Sequence, residues 1–199
     1  PTNTRPIYRE RWRRGVFYQA PKRIDRISDH SDRAFGRRVG DIVHSVLRVR
    51  QPDAEPTELR KLIESFAWEQ GIVDPVERAK AVDTAFVLLR RVQDTDVQAW
   101  IRDARQCYRE LPFVFKTERR VIHGVMDVLI ERADGEWVVI DFKTDTFRTP
   151  GVLSDAMLEV KAHRYTLQVG VYAAAVSELI GVVPKAYIHY IRYRRTVEI

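Results

Sequence analysis

The chain is short of cysteine, of long apolar runs and of phosphate-loop glycines, and each shortage excludes something. Cys107 is the only cysteine among 199 residues. An internal disulfide, a CxxC redox pair and any cysteine-only zinc or iron–sulfur site are therefore excluded within this chain. No apolar run reaches the roughly 18 residues that mark a membrane-spanning helix. The basic start, apolar middle and small-residue cleavage site of a secretory signal are also missing. The expected location is the cytoplasm, with no membrane partner. Val138-Val139-Ile140-Asp141 looks like the strand-plus-Asp of a nucleotide triphosphatase, but no G-x-x-x-x-G-K-S/T occurs. An ATP site in this chain is rejected on that ground. No internal repeat or low-complexity stretch is evident.

What is present is ordinary globular material: 45% hydrophobic and 31% charged residues, enough for one substantial core. The whole chain, 1–199, is expected to form one domain. Residues 1–106 make a mainly helical region with a basic N-terminal segment, and 107–199 a sheet core. Lys and Arg number 34 against 28 Asp and Glu, a net +6 that is compatible with a polyanionic partner. The basic segment at 1–33 interleaves Arg11, Trp12, Arg13 and Arg14, which can track a phosphate backbone and stack on bases. Its plain alternative is a solvated entry segment. The chain opens at Pro1 rather than Met, which fits a piece of something longer.

Helical spacing runs from Ser31 to about Arg50, with Ser31 or Asp32 as cap and Phe35, Val39, Val43, Val46 and Leu47 on one face. Further helices are expected over Thr57–Gln70, from Asp74-Pro75 to about Val92, and from an Asp94 or Thr95 cap to about Arg105. The period then changes. Arg109–Lys116, Arg120–Arg132 and Glu136–Lys143 are rich in β-branched and aromatic residues and read as consecutive strands. Arg148-Thr149-Pro150-Gly151 reads as a loop. One long helix follows, beginning between Ser154 and His163 and ended by Gly181, and Ala186–Arg192 is a last strand. The order implies an α/β fold: a central mixed sheet, built from an antiparallel meander plus a later strand, flanked by helices.

The meander carries the chemistry. A two-residue Asp134-Gly135 loop would set Val128 against Asp141. A three-residue loop of Ala133, Asp134 and Gly135 pairs Arg132 with Glu136 and sets Asp127 against Asp141. Three-residue hairpin loops favour glycine in the left-handed third position, where Gly135 stands, so the three-residue loop is expected. Asp127, Asp141 and Lys143 then share one face with Leu129 and Val139. Met126, Val128, Ile130, Val138, Ile140 and Phe142 line the other.

Two acids facing each other in an apolar sheet are costly unless something compensates them. Mg²⁺ or Mn²⁺, which prefers hard oxygen ligands, would reverse the sign; without it one acid takes a raised pKa. Lys143 lands beside that position, where a cation can orient a water or stabilise a phosphorane-like charge. Metal-dependent phosphodiester hydrolysis is the implied chemistry. A D-x-K triplet alone is weak, since a surface Asp–Lys pair looks the same.

The weight comes from several motifs in order. Gly40-Asp41-Ile42-Val43-His44, Glu110-Leu111-Pro112-Phe113, Gly124-Val125-Met126-Asp127, Ile140-Asp141-Phe142-Lys143-Thr144, and Gln168 with Tyr172 in Q-V-G-V-Y follow one another within about residues 36–180, most of the chain. Together they resemble the PD-(D/E)xK superfamily, and within it the RecB-like nuclease domains. The resemblance implies a restriction-endonuclease-like core. His44, Asp127 and Asp141 would bind the metal, helped by the Phe142 carbonyl. Lys143 would be the catalytic lysine, and Gln168 and Tyr172, four apart on one helix face, would position the lysine or the strand. With one cysteine the chain resembles the cluster-free branch, so no iron–sulfur cluster is expected. It is similar to the C-terminal nuclease domains of RecB- and AddA-type helicase–nucleases of recombination and repair.

The implied activity is an Mg²⁺- or Mn²⁺-dependent deoxyribonuclease, exonuclease or endonuclease. Single-stranded DNA is the favoured substrate, and a helicase motor on the same polypeptide or complex the expected partner. A non-cutting nucleic-acid module and a stand-alone endonuclease are the competing readings. Asp145 and Glu159 read as solvated. Tyr190, Arg192, Tyr193, Arg194 and Arg195 read as nucleic-acid contacts or the finish of an edge strand.

Overall fold

Helix starts in the N-terminal half are set by side chains and prolines that satisfy or remove free N–H groups. A computed structural model describes residues 30–49, 54–118, 120–147 and 154–199. Helix α1 spans His30–Val49, α2 Pro56–Glu69, α3 Pro75–Val92 and α4 Asp96–Arg102. Glu55 accepts from the Thr57 N–H, Asp74 from the Glu77 N–H and Thr95 from the Gln98 N–H. Pro56 and Pro75 occupy first-turn positions, where a missing N–H costs nothing. The expected first cap is corrected: Ser31 and Asp32 already lie inside α1. The fourth helix ends at Arg102 rather than Arg105, because the Arg105 N–H is drawn to the Glu131 carbonyl at the sheet. The basic segment with Arg11, Trp12, Arg13 and Arg14 lies outside the described residues, as does the Arg148–Gly151 loop.

Five strands form one mixed sheet in the order β1 (Gln106–Lys116), β2 (Val121–Glu131), β3 (Trp137–Lys143), β4 (Lys185–Tyr190) and β5 (Arg195–Glu198). All neighbours are antiparallel except β3 and β4, whose parallel pairing is bridged by α5 (Asp155–Ala162) and α6 (Thr166–Ile180). The single long helix expected here is two helices, broken at His163–Tyr165. Gly181 ends α6 at φ 74°, as its position implied. The strand expected over Ala186–Arg192 is β4, which stops at Tyr190 and is not the last. A 3₁₀ turn over Ile191–Tyr193 and a left-handed Arg194 (φ 53°) fold the chain back into β5, a strand the sequence hid because no Gly or Pro marks the turn.

The sheet is covered on both faces. Val128, Ile130, Val138, Ile140 and Phe142 join the core with Ile42, Val43, Leu59, Ile63, Leu88 and Leu89 of the N-terminal helices. Leu129 and Val139 face Tyr172, Ala175 and Val176 of α6. Each fully buried Leu or Ile contributes about 1.5–3 kcal/mol by removal from water, so these two cores fix the register between them.

His189, directly across from Phe142 on β4, is fully buried. Its Nδ1 lies 3.0 Å from Thr196 Oγ1 and its Nε2 has no hydrogen-bond partner. Burial, helped by the charge of Arg194, lowers its pKa to about 4. The folded state therefore binds fewer protons than the unfolded chain between about pH 6.5 and 4. The stability it contributes is full above that window and is lost as pH falls through it. Wild type should lose stability relative to His189→Gln by about 1 kcal/mol per pH unit within the window, measured by urea unfolding.

Candidate functional site

The hairpin closes as a three-residue loop. Arg132 N–H donates to the Glu136 carbonyl and Gly135, at φ 85°, donates back to Arg132. The β2–β3 register runs Glu131↔Trp137, Ile130↔Val138, Leu129↔Val139 and Val128↔Ile140. Its continuation sets Asp127 against Asp141, but the ladder stops there. The next backbone rung would join Met126 and Phe142. Instead the Phe142 N–H donates to Asp127 Oδ2 at 2.7 Å. A carboxylate has taken the place of a carbonyl, and the strands part around it.

The other side of β2 is also irregular. Between the pairs Arg109↔Val128 and Leu111↔Met126, Glu110 sits opposite Asp127 at φ 48°, a left-handed conformation for a non-glycine residue. The strict alternation expected from the sequence fails here. Met126 packs with Leu129, Val139 and Tyr172 rather than with Val128 and Ile130. Asp127 meets α1, where His44 Nδ1 lies 3.4 Å from its Oδ1. The twist at Glu110 and the break in the β2–β3 ladder account for both shifts.

Two clusters result. In one, His44, Glu110 and Asp127 each bring a ligand atom within 4.8 Å of the others. Glu110 was missed as a site residue. The sequence shows it only as the start of a strand motif, and the left-handed backbone that sets it opposite Asp127 is visible only in the structure. In the other cluster Asp141, 1% exposed, has Lys143 Nζ 2.7 Å from Oδ2 and accepts from Gln168 Nε2 at Oδ1, 3.1 Å. The Lys143 contact is an ion pair without hydrogen-bond alignment, since Oδ2 has no aligned donor. Lys143 Nζ also donates to Gln168 Oε1 at 3.2 Å, and Gln168 Nε2 reaches Tyr172 OH at 2.5 Å. Phe142 enters through its N–H, and its ring is buried in the core beside His189. The structure thus brings together His44, Asp127, Asp141, Phe142, Lys143, Gln168 and Tyr172.

The electrostatics follow from the crowding. Burial, the charge of Asp127 and opposing help from Lys143 and His44 leave Asp141 at about 6. Burial and Asp127 raise Glu110 against the pull of His44 and Arg48. Burial lowers His44, but the hydrogen bond to Asp127 and the charges of Asp127, Asp141 and Glu110 outweigh it, so its pKa ends raised. Burial pushes the Tyr172 phenol up to about 12. Clustered oxygens that repel each other, with one imidazole, are a donor set suited to a hard divalent cation.

Two motif glycines are explained by close approach. A Cβ on Gly40 would stand 3.0 Å from Thr144 Oγ1, so helix α1 lies hard against the end of β3 one turn before His44. A Cβ on Gly124 would stand 2.6 Å from the ring of Phe113, its β1 partner.

The chain belongs to the PD-(D/E)XK nuclease superfamily, whose model matches residues 13–197. Membership carries a hydrolytic nuclease role, and enzymes of this superfamily use divalent metals. The chain is similar to an ATP-dependent helicase/nuclease subunit of Staphylococcus carnosus (strain TM300), 25% identical over 78% of this chain and 14% of that one. It is also similar to the protein of the same name from Lysinibacillus sphaericus (strain C3-41), 28% identical over 44% of this chain and 8% of that one. The chain thus spans a small part of these relatives' length. Among solved structures, protein VC1899 from Vibrio cholerae aligns with 80% of this chain and 47% of its own at 11% identity and a TM-score of 0.30. No helix among the described residues is long and apolar enough to cross a membrane.

Phe113 stacks edge-on against Tyr172 at 5.5 Å, so its position bears on the site. Gly124→Ala should cost about 1–3 kcal/mol by overpacking, measured by urea unfolding. Adding Phe113→Leu should restore part of it. Strictly additive losses would show that the Phe113 contact is not the cause.

Proposed function

We propose that this chain is an Mg²⁺- or Mn²⁺-dependent deoxyribonuclease that hydrolyses phosphodiester bonds. The carrying observation is the juxtaposition of the His44–Glu110–Asp127 group with the Asp141–Lys143–Gln168 clamp. A divalent cation held by His44, Glu110, Asp127 and Asp141, with the Phe142 carbonyl, would supply Lewis acidity and a water of lowered pKa. The protein's own groups do the rest. Asp127 and Glu110 offer hard oxygens, and His44 keeps Asp127 oriented through its Nδ1. Asp141 holds the Lys143 ammonium at the edge of the acid cluster, where it can orient the attacking water or stabilise charge developing on a phosphoryl oxygen. Gln168 bonds both Asp141 and Lys143 and so fixes their spacing, while Tyr172 engages Gln168 from one turn further along α6.

Single-stranded DNA is the proposed substrate, delivered by a helicase motor on the same polypeptide or complex. The names of the similar proteins, which pair an ATP-dependent helicase with a nuclease, support that reading. Arg11, Trp12, Arg13 and Arg14 are proposed to grip the strand by charge and stacking. The chain as a whole, 1–199, is proposed to act as one nuclease domain.

Labelled linear and circular single-stranded DNA, incubated with Mg²⁺ or Mn²⁺, should be cut by the wild-type protein and spared in EDTA. Lys143→Ala should lower the rate by about 100-fold or more. Activity that survives both EDTA and Lys143→Ala would overturn this mechanism. Cleavage of the circle separates endonuclease from strict exonuclease action.

A further inference from the structure

The Lys143 ammonium has a third neighbour besides Asp141 and Gln168. The ring of Tyr165 lies beneath it, with Nζ 4.4 Å from the centroid. Tyr165 occupies the break between α5 and α6, as the residue that immediately precedes α6. Its spacing, three residues before Gln168 and seven before Tyr172, is that of one helix face, so it sits on the side that meets the site. Its hydroxyl donates to Asp145 Oδ1 at 3.0 Å. Asp145, two residues beyond Lys143, is half-buried and not the solvated acid that its sequence implied.

We infer that Tyr165 is a positioning residue for Lys143, a π-face shelf that Asp145 locks in place. The physical case has three parts. An ammonium over an aromatic face is attracted by the ring quadrupole, more strongly when partly desolvated, and Lys143 is only 16% exposed. A phenol that donates to a carboxylate carries more electron density in its ring, which deepens that attraction. Asp141, Gln168 and Tyr165 together close three sides of a group with four rotatable bonds, so the ammonium points one way before substrate arrives. Burial and the charge of Asp145 also raise the Tyr165 phenol, which keeps it neutral. Tyr190 paired with Lys143 on β4, and Phe147, edge-on to Tyr190 at 5.3 Å, complete an aromatic floor on this side.

This inference rests on the proposed role of Lys143 for its catalytic consequence, though not for the contact itself. The contact is read by NMR of the intact protein with lysines labelled at the ε position. The Lys143 resonance, assigned by its loss in Lys143→Ala, should be displaced upfield by the ring and return toward the common lysine position in Tyr165→Leu. An unmoved resonance overturns the shelf whether or not the protein cuts DNA.

The consequence is read by cleavage kinetics on single-stranded DNA. Tyr165→Leu should lower kcat about tenfold with KM held within about twofold, and Tyr165→Phe should recover most of it. Phenylalanines of increasing fluorination at position 165 should lower kcat stepwise while the melting temperature stays level. That series also decides the matter should the leucine variant fold poorly. In a Lys143→Ala background, Tyr165→Leu should cost nothing further. A flat fluorination series, or a full additional loss without Lys143, overturns the inference. Failure of the wild-type protein to cut strikes instead at the proposed function.

Discussion

The bond from the Phe142 N–H to Asp127 Oδ2 is where sheet and site become the same object. In a regular ladder that N–H would find a carbonyl on β2, and Asp127 would face Asp141 with nothing between. Here the carboxylate completes the backbone hydrogen bonding of β3, so the same side chain serves the fold and the site. Leaving that N–H unpaired in the interior would cost on the order of 1–3 kcal/mol. The substitution also opens β2 from β3 at one end, and the opening admits His44 from one helical layer and Gln168 from the other. Charge that would be intolerable inside a closed sheet becomes tolerable at its split end, because donors can reach it from both sides.

The two layers deliver different halves of the site. Helix α1 brings an imidazole to Asp127, and its closeness depends on Gly40 lying without a side chain against Thr144. Helix α6 brings an amide to Asp141 and Lys143, and its seat depends on Tyr172 packing with Met126, Leu129 and Val139. Burial raises the pKa of Asp141 to about 6, and the charge of Asp127 adds to it, so repulsion between the two acids couples the halves. The spacing G-D-I-V-H and the spacing Q-V-G-V-Y are one helical turn each for that reason. Both residues of each pair must meet the same sheet end.

Much of this was legible in the sequence, and the reasons are local. Pro56, Pro75, Asp74 and Thr95 announce helix starts because they solve a hydrogen-bonding problem within four residues. Gly135 announces the loop length, and the loop length sets which acids face each other fourteen residues apart in the chain. What stayed hidden depends on long-range geometry. Glu110 gives no sign in the sequence that its backbone turns left-handed or that it will sit opposite Asp127 of β2. The switch of Met126 to the α6 core follows from the same twist. Strand β5 was obscured because Arg194 enters the left-handed region without glycine's help. Asp145 looked solvated because its partner, Tyr165, is twenty residues away in the chain.

Tyr165 changes how the lysine end of the site should be understood. A lysine beside two acids is held by charge alone in almost any direction, because Coulomb attraction is long-ranged and weakly directional. Direction comes from groups that are oriented themselves: the planar amide of Gln168 and the flat face of Tyr165. Both ride on α6 or immediately before it, and both are tied to an acid of the D-x-K-T-D stretch, Gln168 to Asp141 and Tyr165 to Asp145. The acids on either side of Lys143 therefore act on it partly through the helix. Alternating along β3 and its extension, Asp141 and Asp145 anchor Gln168 and Tyr165, and Lys143 lies between the anchors. A strand that carried only Asp141 and Lys143 would have the charge but lack the second anchor that gives the ammonium its direction.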